Sequence, residues 1–443
     1  MMHRERCWQA GFAEADLTPR PGEPVMMSGY GIERAAAGAL APLRAQALAI
    51  TDAQGRSALL LTADVLAFDR STVERVRREL RRRHRLPPAA ILFSASHTHW
   101  GPATLFSLNF SVGAPNPWFL LRLENTLLEL AGHAMRSRRA ATLRFGATEA
   151  RLGVNRRRPR PGGGVEFAPH PEGSYDPHTP VLDLQGLSRH GEKVPWRIVV
   201  VGHGCHPTGS GLVSKWWPEY PGAMRTALEQ RLGRNARVLF VQGCAGDVKP
   251  AHRDPHTKRI VFSDSPSRAR TAGRALARTV MRLLERGPMT ALAPHLERRS
   301  ARGALVFARR KSSAQIEKLL RQEPPGVNAV WARQMQAYGL PARTLPYEAQ
   351  SWRLGRALTL LALEGEVCSP YGPRLRAMTD TPHAMVVAYA NASTGYIPTA
   401  RIVREGGYEG DTSHMAYLLP APFTPAVERA VLKLAARALG RRR

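Results

Sequence analysis

The residues best placed to do chemistry stand in the stretch Ile91-Leu-Phe-Ser-Ala-Ser-His-Thr-His-Trp-Gly-Pro102. Ile91 to Ser96 is apolar and short, follows Pro87-Pro88 and is stopped by Gly101-Pro102, so it reads as a buried strand. His97 and His99 come next. On an extended chain, residues two apart point to the same side. The spacing therefore predicts two imidazoles delivered to one spot. Neutral imidazole is the commonest metal ligand and a proton carrier near pH 7. A His-X-His pair also occurs in solvated loops, so the rest of the chain has to decide.

The pattern recurs. The β-branched run Arg197-Ile-Val-Val-Val201 leads into Gly202-His-Gly-Cys-His206-Pro-Thr208. Val238 to Gln242 leads into Gly243-Cys-Ala-Gly-Asp247-Val-Lys249-Pro250. Leu358 to Leu363 ends at Glu364-Gly-Glu366, and Met385 to Ala390 runs on to Gly395-Tyr396. In open α/β sheets, ligands sit where strand ends meet loops. Two imidazoles, a carboxylate and a phenolate form a donor set that suits zinc. Zinc brings the pKa of a bound water to about 7. No P-loop, no GxGxxG after a strand and no GxSxG elbow occurs. A metal hydrolase is the leading class.

The elements that must hold these groups alternate. Ala45–Ile50 and Ala58–Val65 read as strands joined by the turn Asp52-Ala-Gln-Gly55. A helix follows, with Ser71 and Glu74 as a capping box and Val73, Val76 and Leu80 on one face. A second helix spans Trp118–Arg136, its stripe of Leu120, Leu123, Leu127 and Leu130 widened by Leu121 and Leu128. Val154 to Pro159, with three arginines, reads as a loop or linker. Helices are expected at Ala223–Leu232, Ser267–Leu284, Ser313–Leu320 and after Thr424-Pro425. The expected fold is α/β, with a large mixed sheet, flanking helices and the metal site at strand ends. No repeat and no boundary between domains is evident, so residues 1–443 are taken as one catalytic domain.

The chain has 443 residues, with 64 Lys and Arg against 35 Asp and Glu, a net charge of +29. The arginines are scattered, and no nucleic-acid-binding motif accompanies them. A solvated basic surface is favoured over specific nucleic-acid binding, with peripheral contact to an anionic membrane left open. The charged opening Met1–Cys7, without an apolar segment, is not expected to act as a signal peptide. Four scattered cysteines point to reduced thiols and a cytoplasmic location.

Several short motifs, in order, carry a resemblance. Ser96-His-Thr-His99 with Gly101-Pro102, Asn155-Arg156, His206-Pro-Thr208, Gly246-Asp-Val-Lys-Pro250, Gly365-Glu366, Gly395-Tyr396 and Tyr408-Glu-Gly410 resemble the neutral/alkaline (non-lysosomal) ceramidases. Ala13–Thr18 and Ser28-Gly-Tyr-Gly31 are similar to that family's N-terminal part. Those enzymes are zinc amidohydrolases that cleave the amide of N-acylsphingosine. The resemblance implies that His97, His206, Glu366 and Tyr396 bind Zn²⁺. It implies that His99 carries a proton, and that Arg156 and Tyr408 hold the substrate carbonyl or oxyanion. The partner it implies is a small N-acyl, lipid-like molecule. A counterpart of the family's C-terminal immunoglobulin-like domain is not expected in this chain.

Two positions depart from the family. Lys249 stands where the family has a serine, and Trp100 where it has a small residue. Lys249 is expected to bind a substrate anion or the oxyanion rather than act as nucleophile. Two alternatives accompany this reading. One is an esterase or lactonase on the same zinc scaffold, and the other a non-catalytic relative that binds an anionic partner.

Overall fold

A computed structural model describes residues 7–31, 34–188, 190–322, 326–339, 342–393 and 395–441. The charged opening 1–6 and the last two arginines lie outside these. The largest sheet is mixed. Its order is Ala236–Gln242, Lys193–His203, His178–Leu187, Arg139–Glu149, Trp8–Asp16, Arg44–Thr51, Ser57–Ala63 and Ile91–Ala95, and Thr290–Ala291 pairs with Arg139–Glu149. Its interior pairs are antiparallel. The pair at each end is parallel, Ala236–Gln242 with Lys193–His203 and Ser57–Ala63 with Ile91–Ala95.

A second sheet, Leu296–Val306, Thr344–Leu354, Leu358–Leu363 and His383–Val387, packs face to face on the first. The shared core holds Leu48, Ile50, Leu60 and Leu92 from one sheet and Trp352, Leu358, Leu360 and Met385 from the other. Helices cover the outer faces. Arg70–His84 and Pro117–Arg136 lay Val73, Val76, Leu80, Phe119, Leu123 and Leu127 on one half of the large sheet. Glu219–Leu232 and Pro266–Arg286 cover the other half through Met224, Leu228, Leu276 and Val280. Ala426–Ala438 covers the second sheet with Val427, Val431 and Leu434. Both faces of the Ile91–Ala95 strand are thus buried, which is why it reads as unbroken apolar sequence. No helix among the described residues is long and apolar enough to cross a membrane.

The expected α/β fold with a large mixed sheet and flanking helices is present, and several details differ. Asp69, not a Ser71–Glu74 box, caps the first helix, its carboxylate accepting from the Ser71 N–H. The last helix starts at Ala426 with Pro425 at the cap position, and no side chain caps it. Leu121 does not widen the stripe on its helix, because it is largely exposed. The helix Val327–Tyr338 has no counterpart in the sequence reading. Residues Gly153–Pro159 are a strand rather than a loop. They belong to a small sheet ordered Ile260–Phe262, Val248–Arg253, Gly153–Pro159 and Val165–His170.

Candidate metal centre

Strands from both large sheets end at one place. The turn after Ile91–Ala95 carries His97, and the loop after Lys193–His203 carries His206. The segment after Leu358–Leu363 carries Glu366, whose two-residue strand pairs in parallel with Tyr396–Ile397. Gly246 brings the loop after Ala236–Gln242 against this ladder. Its N–H reaches Val367 O, and an added Cβ would stand 2.5 Å from Glu366 O. Glycine is the residue that fits there.

The two histidines do not converge by strand alternation. The strand ends at Ala95, and His97 adopts φ 63°, in the left-handed region. The turn brings His99 Nε2 to 3.4 Å from His97 Nε2. Glu219 and Tyr389, also near the site, have positive φ as well. Such conformations in non-glycine residues persist only where the surroundings enforce them.

The imidazoles are oriented by main-chain carbonyls. His97 Nδ1 stands 2.8 Å from Leu66 O, and His206 Nδ1 stands 2.6 Å from Ala245 O. A carbonyl only accepts, so both Nδ1 atoms carry hydrogen and both Nε2 atoms are turned into the site. They face Glu366 Oε2, at 3.3 Å from His97 and 2.9 Å from His206. Burial, with Arg156 adding to it, pushes the His206 imidazole down to about 4. Burial works to raise Glu366, but His97 and His206 overcome it and hold the carboxyl well below its usual range. His97 and His206 thus aim their Nε2 atoms at one oxygen of a buried carboxylate, a convergence of donor atoms that suits a shared cation.

Ligand atoms of His97, His99 and His206 lie within 4.8 Å of one another, so these buried residues could hold a metal ion. Tyr396 OH stands 3.4 Å from His206 Nε2, and the two rings stack. All the sequence-derived ligands thus come together, and His99 stands close enough to join them. Burial, then His97 and His206, hold the His99 imidazole well below its ordinary value, and its Nδ1 has no protein partner.

Arg156 is buried beside this group. It donates Nε to Glu409 Oε1 at 2.7 Å and Nη2 to Tyr396 OH at 3.0 Å. Arg157 donates to the other oxygen of Glu409, also at 2.7 Å. Tyr408 stands at the rim, 38% exposed, with its ring 5.3 Å from that of Tyr396. Lys249 is half-buried on the strand Val248–Arg253 and donates to Thr208 O at 3.0 Å. Asp247 serves structure, binding Asn155 Nδ2 and the Ser369 N–H and hydroxyl.

Sequence reasoning missed three residues here. Tyr417 donates to Glu366 Oε1, and Tyr389 donates to Glu366 Oε2 at 3.4 Å, so phenols hold both oxygens of the carboxylate. Glu409, inside a quoted motif but given no role, is the shared acid of Arg156 and Arg157. Tyr389 lies inside the stretch Met385 to Ala390 that reads as strand, whereas the strand itself ends at Val387. Nothing in the sequence around Tyr417 marks it.

No family model matches the chain, and no curated protein matches it. Among solved structures, the neutral ceramidase from Pseudomonas aeruginosa matches with a TM-score of 0.76 at 19% identity, covering 98% of this chain and 74% of that one. A structure described as ceramidase complexed with C2 matches with a TM-score of 0.74 at 18% identity, covering 98% of this chain and 75% of that one. The chain has the neutral ceramidase fold.

Proposed function

We propose that this chain is a zinc-dependent amidohydrolase that cleaves the amide bond of an N-acyl, ceramide-like substrate, acting as one catalytic domain. The observation that carries the proposal is the convergence of the His97 and His206 Nε2 atoms on the buried Glu366 carboxylate, an arrangement that suits a bound cation. Nitrogen donors fixed by backbone carbonyls, with one carboxylate and one phenol, suit zinc. His97, His206, Glu366 and Tyr396 would hold it. Bound there, zinc supplies a Lewis acid and a water acidic enough to act near neutral pH.

The chain's own groups do the rest. His99 is kept neutral by burial, so it can accept a proton from water and return it to the leaving amine. Arg156 and Tyr408 offer N–H and O–H donors to the carbonyl oxygen as it gains charge. Glu409 fixes the Arg156 guanidinium in place. Three buried cysteine thiols, Cys205, Cys244 and Cys368, fit a reducing, cytoplasmic location.

Elemental analysis of the purified protein tests the first step. Near-stoichiometric zinc is expected in the natural chain, and little in the His97→Ala/His206→Ala double variant. Zinc retained by that variant would overturn the ligand assignment.

A further inference from the structure

Charge around the site does not balance. Arg156 and Arg157 share Glu409, and Arg157 also reaches Glu405. Glu366 faces the imidazoles. Two cations remain. Lys249 has no carboxylate at ion-pair distance among the described residues. Its ammonium meets the Thr208 carbonyl at 3.0 Å and lies 5.6 Å from the Phe262 ring centroid. Arg34, 6% exposed, lies over the Tyr30 ring and gives one nitrogen to the carbonyls of Ser28 and His99, while its Nε and Nη1 have no hydrogen-bond partner among the described residues. A buried charge without a counter-charge is costly, and a metal cation at the imidazoles would add to the excess. The acid buried near Lys249, Glu219, is taken by the Gly209 and Tyr220 N–H groups and the Ser210 hydroxyl.

Lys249 also lies beside a run of aromatic rings. Rings run outward from Tyr396 to Tyr408 at 5.3 Å, Tyr408 to Phe167 at 6.3 Å and Phe167 to Phe262 at 5.8 Å. Phe167 is 53% exposed, so the run opens to solvent at that ring. The ammonium therefore lies over the last ring of an aromatic wall that begins at the candidate metal centre.

We infer that Lys249 recognises a negatively charged group on the substrate, so that the site prefers N-acyl amides bearing a carboxylate, sulfonate or phosphate near the scissile bond over neutral ones. The inference rests on the proposed amidase reading for the bond, and not for the anion. Such a group would form a charge-assisted hydrogen bond to the ammonium and replace the missing counter-charge.

The test is calorimetric binding of N-octanoylglycine and N-octanoylethanolamine, which share an acyl chain and differ in the carboxylate. The purified protein should bind the glycine conjugate about tenfold tighter. Lys249→Met should reduce that ratio to within about threefold, and Lys249→Arg should keep most of it. Equal affinities in the natural chain, failure of both ligands to bind, or a preference that survives Lys249→Met would overturn the inference. Hydrolysis of both compounds is followed in parallel. A Lys249-dependent preference without hydrolysis of either leaves the anion site standing and sinks the amidase reading. Hydrolysis without that preference does the reverse.

Discussion

Glu366 and Tyr396 are register partners in a two-residue parallel ladder, with Val367 and Ile397 as the next pair. Side chains of partners in a ladder lie on the same face. Glu366 Oε2 and Tyr396 OH accordingly both reach His206 Nε2, at 2.9 and 3.4 Å. One short ladder thus brings an anionic and a phenolic donor to an imidazole held by the other sheet. Losing either partner should disturb the other.

Glu366→Ala should therefore remove metal and activity together. It takes away the charged ligand and also the acceptor that orients Tyr417 and Tyr389. Zinc per chain, measured after dialysis, should fall to roughly a tenth or less. A variant with full zinc and lost turnover would show Glu366 to be catalytic without being a ligand.

Tyr417→Phe tests the residue that the sequence did not mark. Removing the phenol frees Glu366 Oε1 and should weaken zinc affinity or turnover by about 10- to 100-fold, the usual effect of losing a partner of a metal ligand. Competition with a chelating dye measures the affinity. Unchanged affinity and turnover would mean that the phenol only fills space.

His99→Ala separates a ligand from a proton carrier. As a proton carrier, His99 is expected to leave zinc content intact while turnover falls by about 10²- to 10⁴-fold. Loss of zinc in this variant would place His99 among the ligands, as its closeness to His97 and His206 permits.

The ammonium of Lys249 carries a pH signature. Burial, with Arg156 adding to it, pushes its pKa down to about 8 from 10.5. Between those values the unfolded chain holds a proton that the folded chain has lost, so Lys249 contributes stability that grows as pH rises through this window. Below it, the desolvated charge weighs against folding. Lys249→Met should thus be more stable than the natural chain at pH 7, with the difference shrinking toward pH 10. Urea denaturation at both pH values measures it. A lower stability of Lys249→Met at pH 7 would show that the ammonium is well compensated.

The strands and the histidine-bearing turns were legible because apolar runs bounded by glycine and proline announce both. The large sheet with flanking helices followed from that alternation. The left-handed turn at His97 was not legible, because no residue type announces it. The arginine-rich strand at 153–159 was read as a loop because its charges looked solvated. Arg156 and Arg157 are instead buried against Glu409, a partner some 250 positions away that no local pattern reveals. The first helix cap was misplaced because Ser71–Glu74 matches a capping box, while Asp69 reaches the same Ser71 N–H from one position before the helix. The ligand set came from the ordered motifs. The phenols that hold Glu366 belong to none of them.

Release of fatty acid from an N-acyl amide panel that includes a ceramide, followed by mass spectrometry, tests the central claim most directly. The measurement is made on the purified protein, after chelation, and after zinc is restored. The proposal predicts cleavage by the purified protein, loss on chelation and recovery with zinc. Unchanged turnover after complete removal of metal, or no cleavage of any amide by zinc-loaded protein, would contradict it.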